Sequence, residues 1–462
     1  MLLKNKIEDL KKIVRSENVL FEEEERYCYA QDSANTNKKQ NLPDVVIFVE
    51  TTEEVQNIVR YANLHKIPII ARGAGTNTVG SCTCPKGGIV LNFSKMNKIL
   101  DFNPNDMTMR VQPGVVLNDI KKLAESERLF YPPDPSNFKV STIGGSIAQS
   151  SGGAKSFKYG TTKDYILCLK VVLADGTTMQ IGSGTIKDAV GYHLNQLIVG
   201  SEGTLAIVVE AELKLIPLPE ASAVVTAYFD KIEDAISGVN SIIKERIFPA
   251  TIDFMDKNSI NTVEKFYPCG LNTEKECMLL VEIDGFESSM NTQQMRVHKA
   301  LLENGATDII SVSDAEKMEA VWTARRASYG AAAKLAPDIV TDDIIVPRSA
   351  LSKMVCGCRD ICKKYELQVC IVGHVGDGNV HPQIALNLDN EDEFKKLMDA
   401  KSEIYELAIN LGGTISAEHG VGVEKRFYLD KILDSSSIEY MKRIKKLFDP
   451  NGILNPDKIF KL

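Results

Sequence analysis

GHVGDGNVH, at 373–381, places two of the chain's six histidines around a tight turn. Side chains seven apart in an uninterrupted strand point to opposite faces. Gly376, Asp377, Gly378 and Asn379 break that rule by reversing the chain, so His374 and His381 can face one point. Further along, AEHG adds Glu418 and His419. Two imidazoles and a carboxylate suit Zn²⁺ and similar divalent ions, with positions left open for a substrate. The same residues also suit a hydrogen-bonded polar hairpin. VWTARRASYG supplies two guanidiniums, Arg325 and Arg326. A guanidinium can grip both oxygens of a carboxylate, although an arginine pair on a helix is equally compatible with a solvated face.

Three glycine-bearing turns form a second set. ARGAGTNTVGS, 71–81, follows the strand-like IPII. Its glycines let backbone approach a ligand closely, and successive N–H groups in such a turn can cradle an anion. It is neither the dinucleotide fingerprint, since Thr78 holds the third glycine position, nor a Walker A loop, since no Gly-Lys-Ser/Thr occurs. The stretch 132–162 is rich in glycine and hydroxyls and shows neither helical nor strand period. A segment that long and small-sided reads as a binding loop. GSEGTLAIV, 200–208, is the third turn and leads into a strand.

The elements that must carry these residues follow from pattern. A chain of 462 residues suggests two or three domains. With 44% apolar and 25% charged residues it has the composition of a globular protein. A net charge of −8 leaves no basic footprint for nucleic acid. No run of 18 apolar residues occurs, so no transmembrane segment is expected. The N-terminus reads as an amphipathic helix without signal-peptide features, which points to the cytoplasm. The ten cysteines are scattered without a CxxC pair, arguing against an iron–sulfur cluster. DVVIFVE, IPIIAR, GIVLNF and TMRVQPG read as strands. The helix after DVVIFVE opens on the capping box Thr51-x-x-Glu54. YILCLKVVLADGTTMQIG is a hairpin around Ala-Asp-Gly. A second α+β block follows Pro217 and Pro219. The C-terminal basic helix runs into a Pro/Gly/Asn-rich tail whose Phe448, Ile453, Leu454 and Ile459 suggest docking.

The order and spacing of RGAGTNTVG, PPDPSNFKVSTIGGSIA, GGAKSFKYGTTKDY, GYHLNQLIVGSEGTLAIV, GHVGDGNVH, AEHGVGVEKR and FDPNGILNPDKI resemble the FAD-linked D-2-hydroxy-acid dehydrogenases over about residues 40–462. This family includes D-lactate dehydrogenases and the flavin subunit of glycolate oxidase, within the vanillyl-alcohol oxidase/p-cresol methylhydroxylase superfamily. The resemblance implies an α+β fold: a two-part FAD-binding domain of the p-cresol methylhydroxylase type and an α+β substrate (cap) domain with an antiparallel sheet. Residues 1–39 read by pattern as an N-terminal helical segment; the resemblance implies the FAD-binding domain at 40–219, the cap at 220–420, and C-terminal helices and a tail at 421–462 that returns to the flavin. Arg72, Gly73, Ala74, Gly75, Thr76, Asn77 and Gly80 match the pyrophosphate loop. Pro133, Asp134, Thr142, Gly144, Gly145, Ser146, Ser150, Gly152 and Tyr159 match the loop around flavin and ribityl. Glu202, Gly203 and Ile207 match the adenine side, and Asn455 the returning tail. Many relatives have Asn where this chain has Ser150. FAD is expected to bind without a covalent link.

In many members of the family the residues matching His374, His381 and Glu418 hold a metal, with zinc the first expectation and iron or manganese the alternatives. His419 matches the base that takes the substrate hydroxyl proton, and Arg325 the clamp on its carboxylate; Arg326 reads as solvated. Relatives acting on dicarboxylates carry a Lys where this chain has Thr341 or Asp342. Its absence points to a monocarboxylate such as D-lactate or glycolate, oxidised to the 2-oxo acid by hydride transfer to FAD. Electrons are then expected to pass to a separate acceptor such as an electron-transfer flavoprotein. The oligomeric state stays open, a homodimer among the options. Three rivals remain: a same-fold enzyme acting on another alcohol, a non-redox metallohydrolase using the same ligands, and a flavoprotein subunit that only relays electrons.

Overall fold

The computed structural model describes residues 4–34 and 42–461. They form two compact bodies. The first takes the chain up to Ser151, Thr161–Leu218 and the segment from Glu418 onward; the second takes Gly152–Gly160 and Pro219–Ala417. The N-terminal segment expected at 1–39 lies partly outside the described residues; within them, Lys4–Leu10 and Glu23–Tyr27 are helices.

The first body contains two sheets. In one, Val45–Phe48 and Ile69–Arg72 run parallel to Ile89–Asn92 between them, and Val19–Leu20 adds an antiparallel edge. The helix Thr52–His65 makes the crossover, as parallel neighbours require. Thr51 Oγ1 accepts from Glu54 N–H at 3.2 Å, and Glu54 accepts from Thr51 N–H at 3.1 Å, so both halves of the capping box are made. The other sheet is antiparallel, in the order Ile99–Asn103, Thr108–Val111, Ile207–Lys214, Ile166–Val172, Thr178–Gly182. Ile207–Lys214 alternates buried Ile207, Val209, Ala211 and Leu213 with less buried neighbours, the period of a strand with one face in the core.

The C-terminal tail completes the parallel sheet. Ile69 N–H donates to Ile453 O at 2.7 Å, and Asn455 N–H donates to Ile69 O at 2.8 Å. The sheet edge is therefore covered at Ile69, and Ile453 and Leu454 join the core around Val45, Ile69 and Leu91. Lys445 fixes this return. Its buried ammonium donates to Thr204 O at 2.7 Å, Leu454 O at 2.8 Å and Asp449 at 2.5 Å.

The second body is built on an eight-stranded antiparallel sheet. Its path runs Thr307–Val312, Ala221–Phe229, Cys277–Gly285, Thr251–Asp256, Gln368–His374, Asn379–Leu386, Asp338–Thr341, with Ile344–Ile345 pairing beside Asn379–Leu386. Central strands such as Thr251–Asp256 are buried along their whole length.

One local expectation differs. The 132–162 stretch contains two short helices, Ile143–Gln149 and Ser156–Tyr159. Thr142 caps the first by accepting from Gly145 N–H at 3.4 Å, and Ile143 and Ile147 are both fully buried. Two apolar residues four apart fill one helical turn, too short for a period to register.

Replacing Lys445 by methionine leaves Asp449 buried without its cation. We expect a destabilisation of about 3 kcal/mol, read as a lowered thermal midpoint with earlier proteolysis of the C-terminal tail.

Candidate active site

In the first body the glycine turns meet through buried polar groups. Arg72, 7% exposed, ends its strand and donates from Nη1 to Gln31 O at 3.0 Å. Its guanidinium lies beneath the turn formed by Gly73, Ala74, Gly75, Thr76 and Asn77. Gly75 has φ +72°, and a Cβ there would sit 2.2 Å from Arg72 Nη2. Asn77 Oδ1 accepts from Val79 N–H at 2.9 Å and Ser81 N–H at 3.3 Å, which closes the turn before Gly80. Its Nδ2 donates to His419 O at 3.0 Å, and Thr78 Oγ1 lies 3.1 Å from His419 Nδ1. The loop at 71–81 thus holds the His419 backbone and one ring nitrogen.

Glu202, 3% exposed and at φ +53°, is the other junction. Its carboxylate accepts from Ser81 Oγ at 2.6 Å, Val421 N–H at 2.8 Å and Gly422 N–H at 3.0 Å. Asn455 Nδ2 donates to Glu202 O at 2.6 Å and Ser81 O at 3.0 Å. Gly203 and Ile207 then lead from Glu202 into the long strand. Thr142, Gly144, Gly145 and Ser146 lie at the start of helix Ile143–Gln149, and Ser150 ends it at φ +52°. Pro133 is buried and Asp134 half-buried in the preceding loop. Gly152 and Tyr159 belong instead to the second body. There Tyr159 donates to Asp284 Oδ2 at 2.8 Å, beside the ion pairs Lys155–Glu282 and Lys158–Asp284.

A dinucleotide cofactor needs close backbone approach and polar groups awaiting partners. Ser146 Oγ, Gln149 Oε1 and Asn455 Oδ1 are buried without a hydrogen-bond partner among the described residues. Native interiors seldom leave such atoms orphaned, so the glycine turns and these three acceptors fit a large polar ligand such as FAD.

In the second body His374 and His381 stand on neighbouring strands, with ring centroids 5.2 Å apart. His374 Nδ1 lies 2.5 Å from Asp253 Oδ1, and Asp253 Oδ2 forms an ion pair with Arg325 Nε at 2.7 Å. Burial pushes the Asp253 carboxyl up, but Arg325 and His374 outweigh it and hold the group below its ordinary range. His381 Nδ1 faces Asp342 O at 3.2 Å and Asp343 Oδ1 at 3.9 Å. Asp343, fully buried, accepts from Asn379 Nδ2 at 2.8 Å, Ser416 Oγ at 3.0 Å and Ala417 N–H at 2.8 Å. Glu418 is the next residue after this anchored Ala417. Arg325 also donates from Nη1 to Ser328 Oγ at 3.2 Å, whereas Arg326 pairs with Glu319 at 2.6 Å.

Sequence reading missed Asp253 and Asp343. A signal existed in each case: a lone acid inside the apolar strand TIDFM, and the acid pair of TDDIIV.

Comparisons with known proteins place the chain in a family. Residues 218–459 match the C-terminal domain of FAD-linked oxidases, and residues 43–182 match an FAD-binding domain. The glycolate oxidase subunit GlcD of Bacillus subtilis is 41% identical over 461 residues, covering 100% of this chain and 97% of that protein. The D-lactate dehydrogenase of Anaerostipes hadrus is 35% identical over 427 residues, 90% of this chain and 89% of that one. The solved structure of p-cresol methylhydroxylase with substrate bound superposes with a TM-score of 0.82 at 16% identity, covering 99% of this chain and 96% of that chain, which shows a shared fold. The chain belongs to the FAD-linked oxidases and is an FAD-binding oxidoreductase of the p-cresol methylhydroxylase fold. No helix among the described residues is long and apolar enough to cross a membrane.

The depressed Asp253 carboxyl has a definite consequence for pH dependence. Its charged form stabilises the fold above the unfolded value of 3.8, and that contribution disappears as pH falls through the lower folded value. The gap in thermal midpoint between the protein and its Asp253→Asn variant should persist from neutral pH to about 5 and close only below about 4.

Proposed function

We propose that this chain is an FAD-dependent dehydrogenase of small D-2-hydroxy acids, with D-lactate or glycolate as substrate and the 2-oxo acid as product. The observation that carries the reading is the pair His374 and His381, 5.2 Å apart at the ring centroids, with each Nδ1 committed to a protein oxygen. Aspartate and backbone oxygens only accept, so each Nδ1 carries a proton, and in a neutral imidazole Nε2 is then the atom able to bind a cation. Relatives named for glycolate and D-lactate point the same way.

FAD would be held by the loop 72–80, the segment from Pro133 to Ser150 with Gly152 and Tyr159, the Glu202–Ile207 turn and Asn455. A divalent ion, zinc first, would be held by His374, His381 and Glu418. When bound, the flavin supplies a hydride acceptor and the ion a Lewis acid at the substrate hydroxyl. The protein's own residues do the rest. Arg325 binds the substrate carboxylate through the edge that Asp253 leaves open. His419 takes the hydroxyl proton at Nε2, since Thr78 Oγ1 occupies its Nδ1. Arg326, spent on Glu319, has no part in this scheme. Asp342 turns its carboxylate toward Tyr405 at 2.6 Å and Lys401 at 3.5 Å, and Thr341 precedes it. Neither offers a cation for a second carboxylate, which favours a monocarboxylic acid. Electrons leave to a separate acceptor, for which an electron-transfer flavoprotein is our candidate. All ten cysteines are free thiols, which suits a cytoplasmic enzyme.

Anaerobic mixing of the purified yellow protein with D-lactate, L-lactate, glycolate and D-2-hydroxyglutarate tests the reading. D-lactate or glycolate should bleach the flavin, and L-lactate and D-2-hydroxyglutarate should leave it oxidised. His419→Asn should retain FAD and slow reduction by about 10²–10⁴-fold. A variant that is reduced at the wild-type rate would refute the base assignment, and a colourless protein the whole scheme.

A further inference from the structure

We propose that Asp253 is a positioning residue that orients His374 and Arg325 together, one carboxylate oxygen for each. The inference rests on the preceding reading, in which His374 holds the metal and Arg325 the substrate carboxylate. Asp253 and His374 are directly opposed across neighbouring strands, so both side chains leave the same face of the sheet. Oδ1 sits 2.5 Å from His374 Nδ1, and Oδ2 sits 2.7 Å from Arg325 Nε. Asp253 is 1% exposed.

A buried carboxylate can only accept, so His374 must present Nδ1–H to it and turn Nε2 outward. The negative partner also makes that Nε2 a stronger donor to a cation. His381 is set the same way by the Asp342 carbonyl, a neutral acceptor at 3.2 Å. The carboxylate on His374 is the stronger of the two constraints. Arg325 reaches Asp253 from helix Ala315–Ala332, with Nε in ion-pair contact with Oδ2, not aligned for a hydrogen bond, and Nη1 donating to Ser328 Oγ. The ion pair and the Ser328 bond together hold the guanidinium beside Asp253 before any substrate arrives. One carboxylate thus sets the ligand atom of a histidine and anchors by charge an arginine 49 residues before it in sequence. A merely structural ion pair, tying this helix to the sheet, would cost stability when broken and leave metal and substrate affinity alone.

Asp253→Asn separates the two roles. An amide of the same shape can accept from only one side, so either His374 or Arg325 loses its partner. The full-length flavoprotein and this variant, freed of metal with a chelator, are titrated with Zn²⁺ by calorimetry. The variant should bind Zn²⁺ roughly 10–100-fold more weakly and show a raised KM for the hydroxy acid, with FAD content unchanged. Zinc affinity and KM equal to those of the parent, in a folded variant, overturn the proposal while leaving the metal reading intact. Failure of the parent itself to bind Zn²⁺ overturns both. Should the variant not fold, the parent still decides. In long-range ¹H–¹⁵N spectra of histidine-labelled protein, the resonances missing from His374→Gln should report a protonated Nδ1 and a bare Nε2. The opposite tautomer overturns the proposal.

Discussion

The first body is organised around one buried charge, the carboxylate of Glu202. Taking an ionised group out of water costs several kcal/mol (on the order of the Born penalty after relaxation) unless hydrogen bonds replace the lost hydration. Here Ser81 Oγ and the N–H groups of Val421 and Gly422 replace it. Charge-assisted bonds to backbone amides are short and directional. They fix three loops drawn from distant parts of the chain, and Asn455 adds the C-terminal tail by binding the Glu202 and Ser81 carbonyls. The close passage of these loops leaves no room for side chains: a Cβ on Gly422 would meet Val79 O at 2.0 Å. His419 lies two residues before Val421, so its position follows from the same knot, and Asn77 and Thr78 complete it.

The second body solves a similar problem with three aspartates. Asp253 balances Arg325 and His374. Asp342 and Asp343 are adjacent and diverge. The first turns its carboxylate to Tyr405 and Lys401, and its backbone oxygen to His381. The second turns to Asn379, Ser416 and Ala417. Each is nearly fully buried and each has donors, which is the condition for tolerating such a density of acids. The cluster leaves an acceptor-rich surround for two imidazoles, the donor chemistry that divalent cations prefer.

Rigid placement of both centres has a common origin in sheet packing. The imidazoles sit on strands of an eight-stranded sheet and not on a free loop. Strand ladders restrict both backbone dihedrals and side-chain direction, so the separation of the two rings is set by register. In the first body one glycine turn begins where a strand ends, at Arg72, and another runs into the start of a strand at Ile207, so both inherit their positions from those strands.

The sequence by itself determined what depends on neighbours along the chain. The GSEGTLAIV turn marked the start of strand Ile207–Lys214, Thr51 and Glu54 marked a helix start, and the Ala-Asp-Gly turn between Ile166–Val172 and Thr178–Gly182 marked a hairpin. The GDGN turn was enough to bring His374 and His381 to one side, because the reversal and both histidines lie within nine residues. Only the tertiary structure decided which groups those residues meet. Asp253 reaches His374 across a strand pairing 121 residues long in sequence, and Glu202 reaches Val421 across 219. The short helix Ile143–Gln149 likewise depends on burial of Ile143 and Ile147 by elements outside it. Side-chain periods report which face of an element is buried. They carry no record of sheet order or loop closure, which arise from packing the whole chain at once.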